Sequence, residues 1–228
     1  MVLKLSLLKN QQINCRMHKI RITFLLVTAF FLVAFSTLKN GYELSKNPKE
    51  VLAKLKSTAS KTTTIEADFT EELFLAAFSK PKFATGKFYY EANDKMRWAQ
   101  NSPFEYTIMI NSESLRIKNN GTEQKNVGSK AMVRKVNDFM LMMINGNYQN
   151  DKNMKTVVYE SLSKYLLEMT PTSKPLNKIY TKFEMYFSKS DNRLERIIFF
   201  QPEGDKKITT FSNQKYNTTI ENAIFSKL

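Results

Sequence analysis

From Lys61 onward the chain alternates apolar and polar residues with a period of two, the pattern of strands with one covered face. Ile65, Ala67, Phe69, Leu73 and Leu75 share one parity, while Glu66, Asp68, Thr70 and Glu72 share the other. Gly86, Phe88 and Tyr90 then alternate with Lys87, Tyr89 and Glu91. Ala92-Asn93-Asp94 predicts a turn, after which Met96 and Trp98 resume the apolar parity against Lys95 and Arg97. This reads as a hairpin with one apolar face. Phe104, Tyr106, Ile108 and Ile110 alternate with Glu105, Thr107 and Asn111, and Leu115 and Ile117 with Ser114, Arg116 and Lys118. Strand periodicity returns over 154–160, 164–170, 179–188, 193–201 and 206–213, with Phe183, Met185 and Phe187 set against Lys182, Glu184 and Ser188. About eleven short strands joined by turns predict an antiparallel meander rather than a parallel sheet.

Two helices are predicted beside the strands. Asn47-Pro48-Lys49-Glu50 places Asn at the N-cap, Pro at N1 and Glu at N3. Val51, Leu52, Leu55 and Ala59 mark one face of that helix. The second covers 129–144, where Met132, Val136, Phe139, Met140 and Met143 fall on one side. Ser129 can cap its start and Gly146 can end it. A long sheet with one apolar face must cover that face, so it curls and helices close the opening. Two helices are a thin plug for so wide a sheet, which leaves room for a guest. The competing reading is an ordinary core filled by Phe, Met and Trp.

The first residues bear on compartment. Ile22 to Phe35 is an apolar run of 14 residues preceded by Arg16, His18, Lys19 and Arg21. That is a secretory signal in form, and it is short for a membrane span, which needs about 20 residues. Residues 1–36 are therefore expected to be a signal peptide with its true start at Met17, cleaved after Ser36, and 37–228 a single domain. Cleavage removes the only Cys (Cys15), the only His (His18) and five cations, leaving 30 Lys and Arg against 21 Asp and Glu, a net charge of +9. No disulfide can form in what remains.

Loss of His and Cys removes most catalytic options: no His base, no Cys nucleophile, no His/Cys metal site. No carboxylate calcium loop, Walker A motif or G-x-G-x-x-G is present. Ser161-Leu-Ser-Lys164 and Ser190-Asp191-Asn192 match two pieces of the acyl-serine enzymes, but the K-T-G piece is missing. The cations are scattered, so nucleic acid is not the expected partner; anionic headgroups or acidic surfaces suit them better. No catalysis and no cofactor are expected.

The order of pieces resembles the LolA family of periplasmic lipoprotein carriers. The resembling residues are Ala67-Asp68-Phe69-Thr70-Glu71-Glu72 after an amphipathic helix, Gly86-Lys87-Phe88-Tyr89-Tyr90, and Arg97-Trp98 followed by Pro103. Ile108-Met109-Ile110-Asn111, Leu167-Glu168-Met169-Thr170-Pro171 and Ala223-Ile224-Phe225 complete the set, over roughly residues 48–228. The resemblance implies a mainly β fold, an unclosed barrel of eleven antiparallel strands whose apolar cavity lies under a helical lid and holds lipoprotein acyl chains. The acyl-chain residues it implies here are Phe69, Phe88, Tyr90, Met96, Trp98, Ile108, Ile110, Met132, Phe139, Met140, Met143, Phe183, Met185 and Phe187. Implied partners are acylated lipoproteins, a LolCDE-like lipoprotein-releasing ABC transporter of the inner membrane and a LolB-like outer-membrane acceptor, with the carrier a monomer in a Gram-negative periplasm. Ala92 stands where better-known members carry an Arg that ties the lid to the barrel. Two alternatives stay open: a carrier of another lipid-like molecule, such as a polyene or a glycolipid, and a lipoprotein-sensing regulatory domain.

Overall fold

The computed structural model describes residues 41–92, 95–111, 114–124, 144, 146, 148 and 153–228, with Lys174 and Pro175 by backbone alone. The fold below is that of residues 43–228. It is built from β1 (Glu43–Leu44), α1 (Pro48–Ser60), β2 (Thr64–Phe74), β3 (Lys82–Glu91), β4 (Lys95–Ser102), β5 (Tyr106–Asn111), β6 (Ser114–Asn119) and β7 (Thr122–Gln124). There follow β8 (Met154–Glu160), β9 (Lys164–Pro171), α2 (Lys174–Asn177), β10 (Lys182–Ser188), β11 (Leu194–Phe200) and β12 (Lys206–Tyr216). A 3-10 turn, Asn222–Phe225, comes last.

Among the described residues all strands join one unclosed sheet of twelve, in the order β1-β8-β9-β10-β11-β12-β2-β3-β4-β5-β6-β7. Two meanders, β2–β7 and β8–β12, are zipped along the antiparallel seam between β12 and β2. The expected count of eleven falls one short. Two-residue β1 and three-residue β7 are too brief to show a period, and either could escape a count made from alternation.

Other boundaries also differ from expectation. Phe104 lies outside β5 and is exposed, as is Ile179, which precedes β10 rather than opening it. Residues 174–177, just before it, form a helical turn. Leu75 lies just beyond the end of β2. In each case an apolar residue in a turn happened to extend the parity of its neighbour.

Helix α1 begins as predicted, with Pro48 in its first turn and Glu50 near its start, although the Asn47 side chain makes no capping bond. Its buried residues are Val51, Leu52 and Leu55. The predicted second helix falls outside the described residues except for Ile144 and Gly146. Gly146 has φ of +70°, and a Cβ there would sit 2.9 Å from Lys56 Cα of α1, so glycine is required on both counts. Among the described residues, no helix is long and apolar enough to cross a membrane.

Candidate ligand-binding face

The strand registers put the predicted residues on one face. Ala67 pairs with Phe88 and Ile65 with Tyr90; Phe88 pairs with Trp98 and Tyr90 with Met96. Met96 and Trp98 continue to Ile110 and Ile108. Across the seam, Phe69 pairs with Phe211, and beyond it Met185 pairs with Ile197 and Phe183 with Met169. Cross-strand partners share a face in a pleated sheet. Phe69, Phe88, Tyr90, Met96, Trp98, Ile108, Ile110, Phe183, Met185 and Phe187 therefore form one inner surface. Met132, Phe139, Met140 and Met143 lie outside the described residues.

That surface divides into two clusters. One holds Phe183, Met185 and Phe187 with Leu167, Met169, Tyr165, Ile197 and Phe199, closed by Val51, Leu52 and Leu55 of α1 and by Tyr148. Its members are covered: Leu167, Met169 and Met185 are 0% exposed. Burial there pushes the Tyr148 hydroxyl above its ordinary value. The other cluster holds Phe69, Phe88, Tyr90, Met96 and Ile110, with Ile65, Trp98, Ile108 and Leu115 packed against it but only partly covered. Phe211 touches both. The connection from β7 to β8 reaches both as well, through Ile144 and Tyr148.

The aromatic centre of the second cluster explains the glycine in the middle of β3. Phe69 stacks on Trp98 with ring centroids 4.0 Å apart. Phe88 and Phe211 flank the indole at 5.8 and 6.2 Å. A Cβ on Gly86 would meet Phe69 Cζ at 2.5 Å and Ala99 O at 2.1 Å. Only glycine lets the Phe69 ring lie down beside the indole.

One feature of this face escaped the alternation. Glu71 shares the apolar parity of Phe69 and Leu73, and the register pairs it with Thr209 on β12. Thr209 Oγ1 donates to Glu71 Oε1 at 3.1 Å, and Lys207 Nζ approaches the same oxygen at 2.9 Å. The ammonium lies 5.1 Å from the Phe199 ring centroid and 6.0 Å from that of Trp98. The signal in the sequence was a carboxylate at an inward position of an alternating strand.

The opposite face has its own cover. Arg97 points outward, as its parity predicts, and its Nη1 donates to Ile224 O at 3.0 Å and to Lys227 O. Arg116 Nη1 donates to Ser226 O at 3.1 Å and Lys118 Nζ to Leu228 O at 3.3 Å. Phe225 is 2% exposed beneath this strap. Burial lowers the Arg97 guanidinium from its ordinary value, and the accepting carbonyls satisfy its donors.

A cavity of about 850 Å³ opens near the β12 bulge, lined by Lys164, Asp191, Arg193, Arg196, Phe211, Gln214 and Tyr216 among others. Arg193 lies 3.3 Å over the Tyr216 ring, and burial pushes that phenol up to about 12. The acyl-serine fragments fall in turns here. Ser161 Oγ accepts from Lys164 N at 3.1 Å, while the Lys164 ammonium pairs with Glu195 at 2.7 Å. No Ser–Lys couple is formed. Among the described residues no group of His, Cys, Asp or Glu is arranged to hold a metal ion.

The family model of the outer membrane lipoprotein carrier protein LolA matches residues 60–227. The chain belongs to the LolA family. The match runs from the end of α1 through all of β2–β12 to the strap, so the LolA fold accounts for the whole sheet except β1. Similar solved structures include the LolA superfamily protein NE2245 from Nitrosomonas europaea, 10% identical over 78% of this chain and 97% of that one, with a TM-score of 0.42. The lipoprotein LppX of Mycobacterium tuberculosis is 10% identical over 76% of this chain and 98% of that one, with a TM-score of 0.43. The MucA/MucB complex of Pseudomonas aeruginosa is 12% identical over 76% and 58%, with a TM-score of 0.40. A curated relative, F-box A protein 155 of Caenorhabditis elegans, is 42% identical over 84 residues, 35% of this chain. The matched stretch spans 21% of that relative's length.

Proposed function

We propose that this LolA-family protein is a non-catalytic periplasmic carrier whose inner apolar face holds the acyl chains of lipoproteins between the inner and outer membranes. The observation that carries the reading is the unequal filling of the inner face. Among the described residues the α1 half has fourteen buried members and four partly covered ones, whereas the other half has five buried and six partly covered, Trp98, Ile108, Ile65 and Leu115 among them. Apolar surface of that kind favours an apolar guest. In this reading Phe183, Met185 and Phe187 are the fixed wall, and the residues around Trp98 meet the chains. Met132, Phe139, Met140 and Met143 are proposed to meet them too, because unbranched Met adapts to different chain packings.

The energetics define the task. Each exposed CH₂ costs about 0.8 kcal/mol, so one chain of about 16 carbons costs on the order of 12 kcal/mol in water. A carrier has to shield that surface and still release it. Residues 1–36 fit this role as an export signal, with the domain delivered to the periplasm. An inner-membrane releasing transporter and an outer-membrane acceptor are the partners such a cycle requires.

The deciding experiment is native mass spectrometry of protein purified from its own periplasm, with N-terminal sequencing of the same sample. An acylated protein in complex, and a chain starting near Thr37, are expected. A co-purifying polyene or glycolipid would make it a carrier of another cargo. Recovery of the intact 17–36 segment in the membrane pellet would overturn the periplasmic placement.

A further inference from the structure

We infer that Lys207, held by Glu71 and Thr209, is the anchor for the carbonyl of an acyl ester or amide on this face; the inference rests on the carrier reading above. The pair sits on the central seam between β12 and β2, where the filled and part-filled clusters meet. Phe199 belongs to the first cluster and Trp98 packs on the second, and the Lys207 ammonium lies within 5.1 and 6.0 Å of their rings.

An ion pair here is not explained by stability. The Glu71 side chain is only 11% exposed. Taking a carboxylate and an ammonium out of water costs several kcal/mol per ion, and a well-packed apolar pair in their place is often as stable. Glu71 is nonetheless well tied, accepting at one oxygen from Thr209 at 3.1 Å and Lys207 at 2.9 Å. Lys207 retains 36% of its side-chain exposure. An ammonium has three donors, and the bond to Glu71 engages one. The ammonium is thus fixed in direction, flanked by rings and able to donate again.

The charge balance selects the ligand chemistry. Lys207 and Glu71 together are neutral. A carbonyl oxygen accepts from the ammonium without adding charge. A free carboxylate would bring a second anion to an ammonium that already has one 2.9 Å away. Acyl chains that end in an ester or amide are therefore preferred over free fatty acids. Replacing Glu71 by Gln removes the competing anion and should reverse that preference.

The test uses the full-length chain and Trp98 emission, with methyl laurate, laurate and dodecane as probes at neutral pH. In the wild type, methyl laurate should bind about tenfold more tightly than laurate, the scale of one hydrogen bond to a charged group. Glu71→Gln should favour laurate instead. Lys207→Met should lose about tenfold for the ester while dodecane binding stays unchanged. Lys207→Arg keeps charge and donors and should retain the ester preference, which guards against a general folding defect. If dodecane and the ester bind alike in wild type and Lys207→Met, the pair is structural and the inference falls, with the carrier reading intact. Laurate preferred by the wild type would overturn the ester or amide assignment. If none of the three shifts Trp98, the carrier reading fails and the anchor with it.

Discussion

Gly86 occupies a position that no other residue fits. Its missing Cβ is the space into which the Phe69 ring settles, and the near stack of Phe69 on Trp98 follows from it. Gly86→Ala should destabilise by about 3 kcal/mol, the upper range of overpacking, because one of the atoms in the way is the backbone oxygen of Ala99. Urea unfolding followed by Trp98 emission checks both the loss and the expected change in the native spectrum. A second single-residue effect is electrostatic. Hydrogen bonds from Ser45 Oγ at 2.5 Å and Lys189 Nζ at 2.9 Å hold the Glu160 carboxyl below its ordinary value of 4.5. A depressed carboxylate contributes stability above its unfolded value and loses it as pH falls through its folded value. Stability should therefore drop as pH is lowered below about 4.5, and Glu160→Gln should flatten that part of the profile. The inward parity of Phe88, Trp98 and Phe183 was legible from alternation alone. Glu71 and Lys207 were not, because alternation sorts residues by greasiness and an inward ion pair reads as noise.

At the scale of elements, the sheet repeats one device on each side: a segment lies across it and hides an aromatic. On the inner side α1 covers its half with Val51, Leu52 and Leu55. On the outer side the strap after β12 buries Phe225, and its carbonyls receive Arg97, Arg116 and Lys118. Phe225→Ala should cost about 3–5 kcal/mol if the strap is integral to the fold, as for other buried aromatics. Arg97→Met should cost less, since it leaves carbonyls that water can reach. The pair is checked by chemical denaturation, with hydrogen exchange of β4 and β5 amides showing whether the loss is local. Strand positions in β2, β3, β5, β6 and β10 could be read from the sequence because apolar residues recur there at every second position. β1 and β7 could not, being shorter than one clear period. Nor could the run from Ile179 be separated from β10, because nothing in parity marks where a helical turn hands over to a strand.

At the scale of the whole molecule, the two-meander sheet places a more fully buried cluster beside a less buried one. The order of strands is the cause: β8–β11 lie on α1's side of the seam, β2–β7 on the other. A guest entering the second half would replace water on Trp98, Ile108, Ile65 and Leu115, while the first half has a smaller share of partly covered residues, Leu176, Tyr180, Leu194 and Phe211. Local opening free energies should differ accordingly, lowest where apolar contacts are fewest. Amides of β8–β10 should exchange slowly with or without ligand, at rates set by global unfolding. Amides of β3–β5 should exchange faster in the empty protein and slow markedly when an acylated ligand is bound, since binding stabilises the native form in proportion to occupancy. Hydrogen exchange read by mass spectrometry, with and without methyl laurate, resolves the two halves. Equal protection of both halves in the empty protein, with no change on adding ligand, would mean that the second cluster is an ordinary core after all. Protection gained only in β3–β5 would locate the cargo on the face that Gly86, Phe88 and Trp98 build.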